Sequence, residues 1–383
     1  LHASLMARLD RLASVKDVAQ IGAAIGREFS YGLVSTVSSL PQKALQDALA
    51  QLVEAELIFQ RGVPPDASYL FKHGLVQDAA YASLVRSRRQ QLHGLVGRAL
   101  EEHFEGAVET EPEVVAHHFT EAKLAAPAIR YWKMAGNRAL ARSANSEAID
   151  HFKRVLAISN ELGDEKARLD EEFEGRYGLG KATFAAEHLV EAMAIFEAAS
   201  AVARRIGSAE KAALCALGFD EAQFMTGQVP EASKTVLRAA LDGLSGGDGI
   251  LRCQILSRLG RAHRMSGDAV AALVLDREAI QLARNSKNDR AMFEVLTGGF
   301  FTPTLLTSDQ FAERGALVDE LVETARRADD PYYLGRALSL GLYYATEIGD
   351  RARMDRAISA YKKYTEEKHT LLHQWLARSG DAM

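Results

Sequence analysis

Cysteine is nearly absent. Cys215 and Cys253 are the only two in 383 residues, far apart and without metal-ligand spacing. Disulfide frameworks and zinc ribbons are therefore poor readings, and a reducing, cytoplasmic setting fits. Long apolar runs are missing as well, and nothing approaches the roughly 20 residues that cross a bilayer. No charge of one sign dominates: 51 acidic residues stand against 46 basic, a net charge of -5. That balance speaks against a general nucleic-acid binder. There is no initiator methionine, and Leu1-His2-Ala3-Ser4 opens inside helical periodicity without the features of a signal peptide. The chain thus reads as the interior or C-terminal part of a longer polypeptide. What is present, 48% hydrophobic and 25% charged residues, is the composition of a globular protein. At this length two or more domains, or a repeat array, are expected.

The first hundred residues change period twice. Leu5, Leu9 and Leu12 share one helical face, and Val15, Val18, Ala19, Gly22 and Ile25 continue an apolar stripe after a break near Ser14. A short helix is expected over Tyr31 to Ser38. Pro41 opens another, with Leu45, Leu49, Leu52 and Val53 facing inward. Leu57 to Arg61 and Ser68 to Phe71 are strand-like, separated by the turn chemistry of Gly62-Val-Pro-Pro-Asp66. Helices followed by such a hairpin predict a winged helix over residues 14–73. Its recognition helix, Pro41 to Glu54, carries Lys43 against Asp47 and Glu54, with Glu56 just beyond. DNA affinity rests on Lys and Arg at phosphates, so no nucleic-acid role is expected for this unit.

Three stretches resemble a known family: Leu5-Met-Ala-Arg-Leu-Asp-Arg-Leu12, Ala23-Ala-Ile-Gly-Arg-Glu-Phe29, and the run from Phe71 to His93. They are similar to the region after the nucleotide-binding module of bacterial STAND-type signalling ATPases. In many of these a class III adenylate/guanylate cyclase domain precedes the ATPase and a tetratricopeptide-like array follows it. The resemblance implies that residues 1–75 are the end of the ATPase helical lid and the winged helix. Residues 76–125 are then connecting helices, and 126–383 a solenoid of about six units. It implies that His73 reads the phosphates of bound ADP, as the histidine at the end of the winged helix does in related STAND ATPases. Gly74 departs from the acidic residue usual in plant and animal relatives. ATP or ADP and Mg are expected in upstream domains. Without the resemblance, His73 is a helix-start residue whose ring hydrogen-bonds the hairpin.

Two other clusters read as structural. Arg86, Arg88, Arg89 and His93 form a basic run on a helix, a solvated face expected to pair with Glu101 and Glu102 or to pack on the upstream module. His117 and Glu121, four apart, form one candidate pair beside His118, short of the three ligands a metal site needs.

From Trp132 onward the chain repeats. Ala148, Ala192, Ala232 and Ala272 begin second helices at steps of 44, 40 and 40 residues. A small or short residue precedes each by twelve (Gly136, Gly180, Asp220, Gly260), and Phe152, Phe196, Val236 and Asp276 follow by four. Val155, Ala199, Ala239 and Ala279 come three later. Paired helices need small residues where they cross and a bulky one between neighbours. The pattern resembles tetratricopeptide repeats, with Gly227, Gly267-Asp268 and Gly349-Asp350 at interhelical turns. Leu244 to Gly249 is a loop between repeats, and Gly298-Gly299 with Pro303 marks an irregular place. Fainter second helices are expected over Phe311 to Arg327 and Arg351 to Tyr364. Phe219, Phe224 and Met225 form a stripe expected in the core.

Gly175-Arg-Tyr-Gly-Leu-Gly-Lys-Ala-Thr183 imitates a phosphate-binding loop. The loop needs a preceding buried strand and a hydroxyl directly after the lysine. Here acidic Asp170 to Glu174 precedes it and Ala182 follows Lys181, so the stretch reads as repeat helix, with Gly180 at a helix crossing.

The fold expected is mainly α: a winged-helix domain with a small β-hairpin, then an α-solenoid of TPR-like helical hairpins. No catalytic constellation is legible. The expected function is the sensor arm of a STAND-type signalling protein. It would control a class III cyclase, bind a protein or small-molecule inducer, and oligomerise on activation. The alternatives are the arm of a LuxR-like STAND transcription activator and a free-standing TPR adaptor.

Overall fold

The computed structural model describes residues 13–228, 230–244, 249–298 and 308–368. Leu5, Leu9, Leu12, Gly299, Pro303 and residues 245–248 of the expected loop lie outside the described residues. The chain divides into two compact units, Leu1–Ala186 and Glu187–Met383.

The first unit opens with α1 (Ala13–Ile25), β1 (Glu28–Ser30), α2 (Tyr31–Val37), α3 (Gln42–Glu54), β2 (Ile58–Arg61) and β3 (Ser68–Phe71). The sheet order is β1-β3-β2, antiparallel throughout. Helix, strand, two helices and a closing hairpin is the connectivity of a winged helix. The hairpin was expected; β1 was not. Three residues are too few to show alternation, and β1 exists because β3 offers it an edge, pairing Phe29 with Tyr69. Ser30 then turns the chain into α2 by accepting from the Leu33 amide at 3.1 Å. Phe29, Ile58, Tyr69 and Phe71 fill the inner face, and Val15, Val18, Leu45, Leu49 and Leu52 meet them from the helices. Phe29 stacks on Tyr69 at 5.6 Å. It sits against Gly22, where a β-carbon would come within 2.6 Å of its ring.

Four helices lead on: α4 (Gly74–Ala82), α5 (Arg86–His103), the short α6 (Glu105–Thr110) and α7 (Pro112–Glu121). Antiparallel neighbours α8 (Ala125–Ala141), α9 (Asn145–Ser159) and α10 (Glu165–Ala185) complete the unit. Phe152 on α9 is held from both sides. A β-carbon at Gly136 on α8 would lie 2.8 Å from its ring, and one at Gly178 on α10 would fall inside the ring's van der Waals shell.

The second unit continues as α11 (Leu189–Ile206), α12 (Ala209–Met225), α13 (Glu231–Gly243), α14 (Gly249–Met265), α15 (Ala269–Ser286), α16 (Asp289–Gly298), α17 (Ser308–Arg327), α18 (Pro331–Glu347) and α19 (Arg351–Lys368). Consecutive helices pack together, and α12, α14 and α16 also touch across the hairpins. This is a stack of TPR-like hairpins, and helices cover both of the fainter stretches expected near the C-terminus. Gly267 and Gly349 turn between helices with φ of 84° and 69°, where a side chain would be strained.

The repeat register holds at Ala148, Ala192 and Ala272, each fully buried, and slips by one residue in α13. Ala232 is exposed there, and Ser233 and Leu237 are buried instead. The cause is Gln223 on α12. Its buried side-chain oxygen accepts from the Ser233 amide at 2.8 Å and the Ser233 hydroxyl at 2.7 Å, drawing that residue inward. Asp276 takes the place of a ring for a related reason. Its carboxylate lies against Gly260 and accepts from Arg264 at 2.6 Å, so a buried ion pair fills the volume.

Gly178→Ala tests the two-sided seat of Phe152. Alanine normally stabilises a helix interior by about 0.5–1 kcal/mol over glycine. Here overpacking against an immobile ring should outweigh that, for a net loss of roughly 1–3 kcal/mol. Thermal unfolding should place Gly178→Ala below wild type, and Gly106→Ala, with open space at its β-carbon, at or above it. A Gly178→Ala midpoint at or above wild type contradicts the seat.

Candidate functional site

His73 caps α4 from extended backbone, with φ -135° and ψ 143°, and its exposed imidazole makes no capping hydrogen bond. It leaves β3 directly after Lys72, whose ammonium pairs with Glu56 at 2.8 Å and lies 5.6 Å over the Phe59 ring. The outer face of the sheet aligns Glu28, Leu70 and Phe59 in one row. Phe59 is 49% exposed and Leu75, two residues past His73, 47%. The exit of the winged helix therefore presents an imidazole, a paired lysine and two apolar side chains to solvent. On α3, Lys43, Asp47 and Glu54 are all exposed, so that helix offers phosphates one cation against two carboxylates.

The basic run behaves differently from expectation. Arg89 lies 4.4 Å over the Tyr81 ring, and Arg88 donates to Gln91 at 2.9 Å. Glu101 is taken by Arg130 and by the Tyr131 hydroxyl at 3.0 Å, so it does not serve the run as expected. Separation decides this: Arg130 and Tyr131 reach Glu101 near the end of α5, while the run sits at its start.

His93 is not on a solvated face at all. It is 2% exposed, accepts or donates at Nε2 to the Tyr81 hydroxyl at 2.8 Å, and faces His118 Nδ1 to Nδ1 at 2.9 Å. Burial, with neighbouring imidazoles adding to it, lowers His93 to about 4 and His118 to about 3. Both are neutral at pH 7. The His117 ring stands edge-on to His93 at 5.8 Å. Among the described residues no group of three or more His, Cys, Asp or Glu is arranged to hold a metal ion.

In the second unit, α11, α12 and α13 enclose an open groove of about 700 Å³. Phe196, Ala212, Phe219, Val236 and Ala239 line it, with Glu197 and Arg204 on the α11 side. The one-residue slip in α13 turns Val236 and Ala239 toward the groove. Cys215 lies at its floor, buried, with the thiol pushed up to about 12 by desolvation, which removes it as a nucleophile.

Beside the groove runs a charged layer. Asp220 and Arg261 form an ion pair with side chains 3% and 6% exposed, and Glu221 pairs with Arg258. Burial raises the Asp220 carboxyl and lowers the Arg261 guanidinium, while each partner opposes the other's shift. Arg261 also lies 3.9 Å over Phe224. The expected core stripe is thus split: Phe219 is buried, Phe224 is covered by a guanidinium, and Met225 is 58% exposed.

The stretch from Gly175 to Thr183 lies inside α10 as continuous helix, with Gly175, Gly178, Gly180 and Thr183 buried. Gly175 meets Leu156, and Gly178 meets Phe152. Gly175 and Gly178 receive side chains from α9, and the stretch forms no phosphate loop.

The chain matches no protein-family model. An uncharacterized protein of Rhizobium meliloti (strain 1021) is 26% identical over 161 residues, 42% of this chain and 16% of that protein. The chain therefore corresponds to a small part of that relative. Among solved structures, a Signal Transduction ATPase with Numerous Domains carrying a tetratricopeptide repeat sensor, from Pyrococcus horikoshii, is 13% identical. Its TM-score is 0.48, over 96% of this chain and 64% of that one. A Rap protein complexed with competence and sporulation factor is 11% identical, with a TM-score of 0.47 over 95% and 88% of the two chains. Aspartyl phosphate phosphatase F from Bacillus subtilis is 10% identical, with a TM-score of 0.47 over 96% and 94%. Likenesses at these scores bring no activity to this chain.

Arg261→Ala should strand the Asp220 carboxylate and cost about 3–5 kcal/mol, whereas Asp220→Leu with Arg261→Met should recover most of the loss. Denaturant melts of the three chains check this. A double variant no more stable than Arg261→Ala contradicts the reading.

Proposed function

We propose that this chain is the regulatory arm of a larger STAND-type, ATP-dependent signalling protein of the cytoplasm. Its winged helix works against an upstream nucleotide-binding module, and its hairpin stack receives a protein or small-molecule partner. The observation that carries this is the exit of the winged helix, where His73, Phe59 and Leu75 are exposed, on a unit whose α3 is ill-suited to DNA. The hairpin stack that follows in the chain supports a binding role, since stacked hairpins present extended surfaces to partners. The resemblance at Phe71 to His93 adds the nucleotide: His73 reads the phosphates of ADP held with Mg by the upstream module.

Partner binding shifts such a protein only if the partner prefers one state of the arm over the other. In this reading it favours the state in which the winged helix has left the nucleotide. Exchange, oligomerisation and output follow. By the same resemblance the output is a class III adenylate/guanylate cyclase. The alternative, a LuxR-like transcription activator, differs in the output domain and leaves the role of this arm unchanged.

In the full-length protein, His73→Ala should speed ADP release several-fold or raise basal output without altering the melting temperature of the arm. Nucleotide off-rates and basal output both equal to wild type overturn the assignment. Purified 1–383 should turn over neither ATP nor GTP, and measurable turnover by this segment overturns it equally.

A further inference from the structure

The cluster around His93 sits where the winged helix gives way to the first helices of the stack, and three elements meet in it. Tyr81 comes from α4, His93 from α5 and His118 from α7. Both imidazoles are 2% exposed, so no water replaces a lost bond cheaply. Their facing Nδ1 atoms, 2.9 Å apart, require one ring to carry the proton and the other the lone pair. If the Tyr81 hydroxyl donates to His93 Nε2, then His93 donates through Nδ1 and His118 accepts. That is a one-way hydrogen-bond chain from α4 to α7. A proton added at His118 Nδ1 would set two N–H groups face to face, and one added at His93 Nε2 would remove the acceptor of the Tyr81 hydroxyl, so either breaks a link of the chain.

We propose that Tyr81, His93 and His118 form a latch that fastens α4, the helix that His73 opens, to α7, so that displacing α7 loosens the backbone that positions His73. The consequence for signalling rests on the regulatory reading above; the latch itself does not. The groups facing it from the packed elements are Arg89 on α5, His117 and Glu121 on α7, and Tyr81 on α4. Glu121 favours the protonated form of His93, and burial, His117 and Arg89 oppose it. Burial wins, because both rings titrate far below the ordinary histidine range. The latch is closed at neutral pH, and acid serves as a probe of it. The sign is that of a depressed folded-state pKa. The stabilisation is complete above about 6.5, where the unfolded histidines lose their protons, and is lost as pH falls toward about 4 and 3.

Hydrogen exchange of the whole 383-residue chain, read by mass spectrometry, tests the latch. Tyr81→Phe keeps the ring and removes the hydroxyl. At pH 7 it should speed exchange in α4 and α7 together, by about five-fold for one net hydrogen bond, and leave α3 and α9 unchanged. Acceleration confined to α4, or none, overturns the proposal. In wild type, after correction for intrinsic rates, acidification from pH 7 to 4.5 should open α4 and α7 progressively and in parallel. His93→Gln with His118→Gln, which keeps an amide pair but cannot titrate, should abolish that response, and its persistence overturns the proposal. Should the double variant fail to fold, the wild-type series decides: parallel opening of α4 and α7 supports the latch, and opening of one without the other overturns it. No readout uses nucleotide, so an inert His73→Ala would sink the regulatory reading while leaving the latch intact.

Discussion

An aromatic ring seated where a glycine leaves room for it is the contact on which both units depend. Phe29 sits on Gly22 in the winged helix, and Phe119 on Gly97 at the join of α5 and α7. Phe152 lies between Gly136 and Gly178, Phe196 on Gly218, and Tyr344 and Tyr364 reach Gly315 and Gly335. Interiors pack to crystal-like density, so helix separation is set by what stands at the crossing. A glycine lets two backbones approach, and a ring from the neighbour fills the gap that approach leaves. Each such pair therefore sets a distance and a rotation at once.

Where the ring is missing, the same volume is filled by paired polar groups. Asp276 with Arg264 replaces it beside Gly260, and Gln223 with Ser233 resets the register of α13. Buried polar atoms tolerate few alternatives, since each lost partner costs a full desolvation penalty. These places are therefore specific rather than strong. Exposed ion pairs one hairpin apart, such as Lys123–Glu161 and Arg284–Glu320, add register more than stability.

Function, on this reading, uses the two kinds of contact differently. Ring-on-glycine seats make each hairpin rigid enough to carry a displacement. The neutral histidine pair provides a join that is either made or broken, which is what a two-state response needs. In the proposed reading that join leads to His73, whose exposed side chain makes no capping hydrogen bond.

Much of this was legible in the sequence. The apolar stripes of α1 and α3, the two hairpin strands, and the period carried by Ala148, Ala192 and Ala272 follow from local side-chain spacing, which a helix or strand converts directly into a buried face. Gly136 as the partner of Phe152 was legible for the same reason, since both lie in one hairpin. Gly178, Gly218, β1 and the His93–His118 bond were not. Each depends on a partner from another element, and periodicity within a segment carries no information about who arrives from outside. By itself the sequence determined the helical class, the winged-helix order and the repeat. Only the tertiary structure decided that Gly175 and Gly178 of the false phosphate loop receive side chains from α9, that α13 is rotated by one residue, and that two histidines from different helices hydrogen-bond to each other. Those outcomes are settled by close packing between elements and by the need of buried polar atoms for partners.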